Sequence, residues 1–306
     1  MNKKIVASLA ATAGVGLTLA LATAGGAITR GSVPRSPLDG KPFRPGVELV
    51  FDNGDYSDAQ ILYAHDGRVH QLSDFDYPAW APFPSHDGKL IEFGGAPGGV
   101  SIMNRDGTNA HLVPGTHNCY PGGWGPNDAW VALSCGFLGP GINVPLVIVN
   151  TDGTNRRALG KMPPGESPSV NPKTGIIAFS EPNGAVYGVN PHTGRKTVLL
   201  AAGGSPHAAA PVWAPDGRAL LVVVQLAAGP AFEILGPNKS KHIVRKIGWN
   251  TDLGATYSSD GKQIVYGGSA DVGHDLYLSD ARGKSAHRLT TIGDVGDPQW
   301  LPPVQG

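Results

Sequence analysis

Short apolar runs separated by tight polar turns recur along the chain from about residue 46 onward. Two examples are Ala219–Val224, which follows the Asp216-Gly217 pair, and Leu146–Val149, which precedes Asp152-Gly153. Glycine accepts the positive φ that a tight hairpin requires, so an Asp-Gly pair between β-rich runs predicts an antiparallel hairpin. Hydrophobic positions with a helical period are absent after the N-terminal segment. The pattern therefore predicts an all-β protein.

The runs belong to a unit that repeats at intervals of 43 to 46 residues. Its motif is Pro-x-aromatic-x-Pro-Asp-Gly, and the best copy extends from Pro211 to Gly217. The six copies are anchored at Trp80, Trp124, Val170, Trp213, Tyr257 and Trp300. Each copy has a second half with a further hairpin, so one unit holds four strands, which is typical of a propeller blade. We interpret Trp80, Trp213 and Trp300 as residues that pack between blades.

The last copy, at Trp300, supplies only the first strand of a blade. The runs Val47–Phe51, Gln60–Ala64 and Arg68–Leu72 supply the other three strands. Pairing the two ends of the chain closes a ring and leaves no exposed sheet edge. Residues 46–306 are therefore predicted to form a six-bladed β-propeller of four-stranded antiparallel blades, with the ring closed by pairing of N- and C-terminal strands.

These motifs resemble the repeats of TolB-like propellers, bacterial relatives of the WD-repeat propellers. The matching segments are Trp213–Gly217, with its Pro-Asp-Gly turn, and the closing strand Arg288–Thr290. The resemblance extends from about Gly46 to Pro302. It implies the propeller fold and a protein-binding role. Some TolB-like propellers also resemble oligogalacturonate lyases, which use a metal held by histidines, and this implies an enzymatic alternative.

The N-terminal segment has the features of an export signal. Lys3 and Lys4 precede the uncharged stretch Ile5–Ile28, and Ala22-Thr23-Ala24 has the small residues that signal peptidase accepts. We predict a signal peptide over residues 1–27 and a flexible spacer over 28–45. An uncleaved anchor is the alternative, because about 20 apolar residues can span a bilayer. With cleavage, we expect a secreted or periplasmic protein without stable membrane insertion.

Charge narrows the choice of partners. The chain has 24 Lys and Arg against 24 Asp and Glu, a formal net charge of zero, and no run of Lys or Arg is longer than two. Nucleic-acid binding normally needs a basic excess or stripe, so this class of ligand is excluded. A protein or peptide partner is expected instead, and the propeller itself is expected to be a monomer.

The two cysteines, Cys119 and Cys135, lie eight residues on either side of Asn127, at the turn of the second blade's first hairpin. Positions equidistant from a hairpin turn lie opposite each other, so the spacing predicts a disulfide. An exported chain with an even number of cysteines favours the same pairing. Two buried free thiols are the alternative.

The loops that lead into the innermost strands are expected to open onto one end of the central channel. Their ionisable residues form the candidate ligand-binding site: Asp76, His117, Glu166, His207, Asp252, Asp294 and Asp297. Such a ring of carboxylates and imidazoles is suited to a divalent cation, a basic peptide or a polar substrate. Aspartates that merely cap turns at a wet channel mouth are the alternative interpretation.

Catalytic signatures are missing. The chain has no Gly-x-Ser-x-Gly nucleophile elbow, and the mouth has only two histidines, His117 and His207. No catalytic residue is therefore assigned and no cofactor is expected beyond the divalent cation just mentioned. The favoured function is binding of a protein or peptide at the channel mouth. Two alternatives stay open: a channel-site lyase or hydrolase acting on a polar, saccharide-like substrate, and a structural envelope protein without a ligand.

Overall fold

The computed structural model describes residues 35–304 except 55–57, 96–97, 137–142, 165–166, 203–208, 227–228, 237–240, 247–253, 270–273 and 292. The part of the chain described in this way forms six four-stranded sheets with antiparallel pairing throughout. Among these residues no helix has the length and apolar character needed to span a membrane. The predicted signal peptide, residues 1–27, lies outside the described residues.

Each of the first three blades uses four consecutive strands, named here from the channel outward. Blade 1 comprises β4 (Ala79–Pro84), β5 (Leu90–Gly95), β6 (Gly99–Asn104) and β7 (His111–Leu112). Blade 2 comprises β8 (Cys119–Trp124), β9 (Trp130–Cys135), β10 (Val144–Asn150) and β11 (Arg157–Met162). Blade 3 comprises β12 (Ser169–Val170), β13 (Ile177–Ser180), β14 (Val186–Val189) and β15 (Lys196–Leu200).

The remaining blades follow the same meander, except that the sixth draws on both ends of the chain. Blade 4 comprises β16 (Ala209–Trp213), β17 (Leu220–Leu226), β18 (Gly229–Leu235) and β19 (Lys241–Lys246). Blade 5 comprises β20 (Ala255–Tyr257), β21 (Gln263–Ser269), β22 (His274–Asp280) and β23 (His287–Arg288). Blade 6 comprises β24 (Val295–Trp300), β1 (Leu49–Asn53), β2 (Gln60–His65) and β3 (Arg68–Gln71).

Blade 6 closes the ring as the sequence predicts. Its innermost strand β24 pairs antiparallel with β1, with Leu49 opposite Trp300 and Val50 opposite Gln299. Strand β1 then pairs with β2 in the register Leu49 to Ala64. The predicted six-bladed ring, closed by N- and C-terminal strands, is confirmed.

The hydrophobic core is divided among the interfaces between blades. Because side chains alternate across a strand, each sheet buries one face against the preceding blade and the other against the following one. Val50 and Ile61 of blade 6, for example, share a cluster with Ile91 and Phe93 of blade 1. Trp213 and Trp300 are half-buried against such clusters, which agrees with their predicted packing role.

Trp80 does not have the position that the repeat alignment predicts. The first hairpin turn of a blade begins with a backbone hydrogen bond, such as Ala214 N–H to Ala219 O in blade 4. In blade 1 the corresponding bond runs from Ser85 N–H to Leu90 O, so Pro84 is the equivalent of Trp213. Trp80 therefore lies four residues too early. The physical reason is that blade 1 carries Pro82 well before its own Asp87-Gly88 turn, so the motif matches Trp80 out of register.

The innermost strands share an irregularity that the sequence does not reveal. Register shifts interrupt β4, β16 and β24. At each, the residue three positions before the strand end adopts a positive φ: 48° at Ala81, 47° at Ala210 and 41° at Asp297. Non-glycine residues rarely occupy this region, so the surrounding packing must hold them there. A bulge of this kind turns backbone N–H groups away from the strand's own partner.

Part of the predicted spacer is packed against the ring. Leu38 and Phe43 are buried in the core of blade 6. The backbone N–H of Gly40 donates to Val69 O at 2.8 Å, and Pro42 forms a bridge with Arg68. Residues 35–45 are thus held to the outer strand of the closing blade and do not form a flexible spacer, because two apolar side chains within them find a place in its core.

The meander fixes what lies at each end of the ring. Successive antiparallel strands alternate in direction, so the loops leading into the innermost strands and the connections between second and third strands share one end. We call this end the channel mouth, and the loops that lead into the innermost strands the mouth loops. The opposite end carries the hairpin turns, such as Ser85–Gly88 and Asp152-Gly153, and is called the hairpin end.

The free energy of unfolding should depend strongly on the pairing of β1 with β24, which closes the ring. Leu49 is completely buried opposite Trp300, so Leu49→Ala leaves a cavity where the two chain ends meet. We expect the free energy of unfolding to fall by roughly 2–5 kcal/mol, measured by denaturant unfolding. Val198→Ala, at a position 49% exposed on the outer strand of blade 3, is the control. It should change the free energy by less than about 0.5 kcal/mol, and equal losses in both variants would contradict the prediction.

Candidate functional site

The structure describes four of the seven predicted site residues. Asp76, His117 and Asp294 are exposed in the mouth loops of blades 1, 2 and 6. Asp297 lies further along, within β24, and is half-buried. The other three, Glu166, His207 and Asp252, lie outside the described residues. The described part of the predicted site is therefore a rim of separate polar side chains.

Buried neighbours hold the rim residues in place. Phe75, beside Asp76, is buried and its ring stacks 5.5 Å from that of Phe93. Thr116, beside His117, is also buried, and its hydroxyl donates to Val113 O at 2.7 Å. Each exposed polar side chain thus follows a residue anchored in the core, which keeps the mouth loops of blades 1 and 2 in one position.

The predicted disulfide is confirmed. Cys119 and Cys135 are direct cross-strand partners in β8 and β9, with an S–S distance of 2.03 Å and a Cα–Cα distance of 3.9 Å. Both residues are buried. The bond joins the two innermost strands of blade 2 at the mouth end of the hairpin, so the alternative of two free thiols is excluded.

A cavity of about 230 Å³ lies beside this disulfide, between blades 1 and 2. Trp80 and Tyr120 form its aromatic wall, with ring centroids 5.0 Å apart and planes inclined by 38°. Both rings are half-buried. The rest of the lining is small or backbone: Gly95, Gly98, Gly99, Asn118, Cys119 and Gly136. We call this space the aromatic cavity.

Gly94 makes this arrangement possible. It is the cross-strand partner of Trp80, and a Cβ atom at Gly94 would lie 2.5 Å from the indole ring. Trp80 can therefore lie flat over the second strand of blade 1 only because that position has no side chain. His117 borders the same region, because its Cε1 lies 3.2 Å from the place that a Cβ of Gly98 would occupy.

The sequence does not reveal this pair. The repeat alignment places Trp80 among the packing residues, and Tyr120 carries no motif. In the structure they occupy the same inner-strand position of neighbouring blades, opposite Gly94 and Ser134 respectively. A large aromatic residue paired in register with glycine is the signal that could have found Trp80, but it requires the hairpin register to be known first.

A pair of carboxyl groups lies at the inner edge of blade 6. Asp52 is buried, accepts a hydrogen bond from Ala81 N–H at 2.9 Å, and shares a hydrogen bond with Asp297. Burial raises the pKa of Asp52 to about 6, although the bonds from Ala81 and Asp297 oppose the shift. Burial and the charge of Asp52 raise the pKa of Asp297 well above its ordinary value. Asp297 is thus engaged with a second aspartate, Asp52, which no sequence motif marks.

A second buried carboxyl group, that of Glu92, connects blade 1 to blade 2. Its carboxyl group is completely buried, and Oε2 accepts a hydrogen bond from Gly123 N–H at 3.2 Å, at the bulge of β8. Oε1 has no hydrogen-bond partner among the described residues. Burial raises the pKa of Glu92 to about 8, against the opposing effect of the Gly123 and Gly122 amides. At neutral pH this side chain is therefore mainly a neutral acid.

A group with metal-ligand spacing lies at the other end of the ring. Ligand atoms of Glu48, His65 and Asp66 lie within 4.8 Å of one another at the hairpin end. His65 already contacts Glu48 at 2.8 Å and Asp66 at 3.1 Å, and Arg105 contacts Glu48 at 2.7 Å. The guanidinium of Arg105 neutralises the carboxylate of Glu48. We therefore interpret this group as an ionic contact that joins blades 6 and 1. The divalent cation expected at the channel mouth stays a prediction.

No protein-family model and no curated protein sequence matches the chain, whereas solved structures match it by fold. TolB from Acinetobacter baumannii gives a TM-score of 0.71 at 14% identity, covering 84% of this chain and 67% of that one. A protein assigned as TolB from Agrobacterium tumefaciens gives a TM-score of 0.61 at 15% sequence identity. The match covers 84% of this chain and 100% of that one. An oligogalacturonate lyase in complex with manganese gives a TM-score of 0.56 at 12% sequence identity. The match covers 86% of this chain and 84% of that one. The chain has the TolB-like six-bladed propeller fold.

The buried acid predicts a pH-dependent stability. The pKa of Glu92 rises from an ordinary 4.5 to about 8, so between these values the folded protein keeps a proton that the unfolded chain releases. Stability should therefore fall as pH rises from about 4.5 to 8. Glu92→Gln keeps an acceptor for Gly123 N–H but cannot ionise, so its unfolding free energy should fall less steeply over pH 6–8.

Denaturant unfolding at several pH values measures this difference. Glu181→Gln is the control, because Glu181 pairs with Lys196 near the surface. It should leave the slope of wild-type stability against pH unchanged above pH 6. A Glu92→Gln protein with the wild-type slope would show that Glu92 does not hold the proton.

Proposed function

We propose that the protein is an exported binding module whose channel mouth holds a segment of a partner protein or peptide. An apolar side chain of that segment enters the aromatic cavity between blades 1 and 2. The observation that carries the proposal is the Trp80–Tyr120 pair, which is half-buried and lines a cavity, with Trp80 packed on Gly94.

The cavity has the features of a binding hot spot. Aromatic rings provide a large contact area with few rotatable bonds, so little conformational entropy is lost when a ligand binds. Trp80 is packed on Gly94, and Tyr120 follows the disulfide-bonded Cys119. Both rings are therefore held in place before binding. A preorganised apolar pocket with a polar rim is the usual anatomy of a protein interface.

The rim indicates which residues of a partner would flank the inserted side chain. Asp76 and Asp294 are exposed acids, so a lysine or arginine on the partner gains favourable electrostatics. His117, beside Gly98, adds an imidazole that can donate or accept a hydrogen bond. We therefore infer a partner segment with an apolar residue next to a basic one. Glu166, His207 and Asp252 are retained as further candidates on the remaining mouth loops.

The disulfide supports an extracytoplasmic location. Structural disulfides form and persist in oxidising compartments, and Cys119 and Cys135 are joined in the core of blade 2. Together with the signal predicted over residues 1–27, this favours a secreted or periplasmic protein. We propose that it acts as a monomer with one channel mouth.

A channel-site enzyme is the second candidate, and the Asp52–Asp297 pair is the observation that favours it. Two hydrogen-bonded carboxyl groups with raised pKa values can supply the proton donor and the proton acceptor that a lyase or hydrolase needs, as in enzymes whose paired aspartates share a proton. The similar oligogalacturonate lyase was solved with manganese. Asp52 also holds the Ala81 amide of the next blade, however, which gives the pair a structural role that accounts for its burial.

Site-specific crosslinking tests the binding proposal. A photoreactive residue replaces Asp76 at the rim or, as a matched control, Val198 on an outer strand, and each protein is incubated with native envelope fractions. We expect a product specific to position 76 that disappears in Trp80→Ala and persists in Trp80→Phe, since phenylalanine keeps a ring over Gly94. Thermal unfolding confirms that each variant folds. Identical products at positions 76 and 198, or a product insensitive to Trp80→Ala, would contradict the proposal.

An activity assay separates the enzymatic alternative. The mature protein is incubated with a polyuronate such as polygalacturonate, with and without manganese, and new chain ends are measured. The binding proposal expects no turnover. Cleavage that is lost in Asp297→Asn and kept in Asp76→Asn would instead assign catalysis to the carboxyl pair. Asparagine tolerates the positive φ at position 297, so the variant is expected to fold.

A further inference from the structure

A second concave site lies at the hairpin end, between blades 2 and 3. A groove of about 510 Å³ opens there beside the turns that follow β10 and β14. This volume is in the range of small-molecule sites. The polar and aromatic side chains that line it are Trp130, Asn150, Asn155, Arg156, Arg157 and His192. We call it the Arg156 groove.

The groove carries positively charged arginines, and no carboxylate among the described residues lines it. Arg156, Arg157 and His192 are exposed. The guanidinium of Arg157 donates to the main-chain oxygens of Pro191 and His192, which fixes it across the boundary between the blades. Such neutral acceptors leave its charge uncompensated.

The guanidinium of Arg156 is more accessible to a ligand than that of Arg157. Its guanidinium makes no hydrogen bond or ion pair within the described part of the chain. The nearby acid, Asp152, is turned into its own hairpin, where it accepts hydrogen bonds from the hydroxyl and the N–H of Thr154 at 2.6 and 2.9 Å. The planar guanidinium of Arg156 therefore presents its N–H donors to solvent, in a geometry that suits a carboxylate or a phosphate group.

Trp130 supplies a rigid flat wall. A Cβ at Gly125 would lie 2.2 Å from the indole, so the ring is packed directly on that glycine. Trp130 is also the cross-strand partner of Asn150, whose amide donates to Thr154 Oγ1 at 2.9 Å. The ring is half-buried and its remaining surface borders the groove. A fixed aromatic plane thus lies in the same groove as two guanidinium groups.

We propose that the Arg156 groove binds a small organic anion in which a ring stands next to a carboxylate or phosphate. The ring lies against Trp130, and the anionic group is held by Arg156 and by the outer edge of Arg157. The amide of Asn155, which also lines the groove, is placed to meet a hydroxyl group of the ligand. Acidic sugars and nucleotides share this chemistry. The site is separate from the channel mouth and does not depend on the function proposed there.

Matched pairs of probes test the site and identify the source of the anion. Glucuronate is compared with glucose, and adenosine monophosphate with adenosine, by isothermal titration and saturation-transfer NMR on the mature protein. We expect one anion of these pairs to bind at least tenfold more tightly than its neutral partner. Glucuronate as that anion indicates an acidic sugar, and adenosine monophosphate indicates a nucleotide.

Two variants and one control complete the test. Arg156→Ala and Trp130→Leu should each weaken anion binding about tenfold or more, the usual effect of losing a charge-assisted bond or a stacking ring. Arg218→Ala removes an exposed arginine at the hairpin end of blade 4 and should change nothing. Thermal unfolding shows whether the variants fold. Absence of binding by both anions, equal binding of the neutral partners, or equal effects of Arg156→Ala and Arg218→Ala would overturn the proposal.

Discussion

The antiparallel pairing of β1 with β24 is the interaction on which the rest of the structure depends. It brings Leu49 against Trp300 and completes blade 6 from the two ends of the chain. Because each hydrophobic cluster is shared by neighbouring blades, blade 6 contributes to the clusters on both of its sides. Opening this one pair would expose apolar surface at both interfaces and free a row of unpaired backbone groups. The closed ring therefore stabilises all six blades together.

A second level of organisation runs around the inner edge of the ring. The bulges of the innermost strands leave backbone N–H groups that their own sheet does not use. The preceding blade supplies the acceptors: Asp52 of blade 6 holds Ala81 of blade 1, and Glu92 of blade 1 holds Gly123 of blade 2. Neighbouring blades are thus joined by directional polar bonds as well as by apolar packing. The cost is that carboxyl groups are buried beside the channel, where their proton affinity rises.

The sequence was sufficient for the fold because its signals are local and repeated. Each Asp-Gly turn marks a hairpin, and the spacing of Cys119 and Cys135 about one turn was enough to pair them. The candidate site was harder to predict. Trp80 and Tyr120 become neighbours only when two blades pack, and Asp52 meets Asp297 only when the ring closes. Such contacts join residues far apart in sequence and leave no spacing that a single sequence can display.

The pairing of β1 with β24 also determines when the ring can close during synthesis of the chain. Strand β1 has to wait for β24, whose residues follow about 250 positions later. Until they arrive, the sheet of β1, β2 and β3 lacks its innermost member and presents an open edge beside uncovered apolar side chains. Contacts of such long range form slowly, so the ring is completed after synthesis of the propeller. A nascent chain in this state has an unpaired sheet edge and uncovered apolar side chains, so it is the species that most needs protection from aggregation.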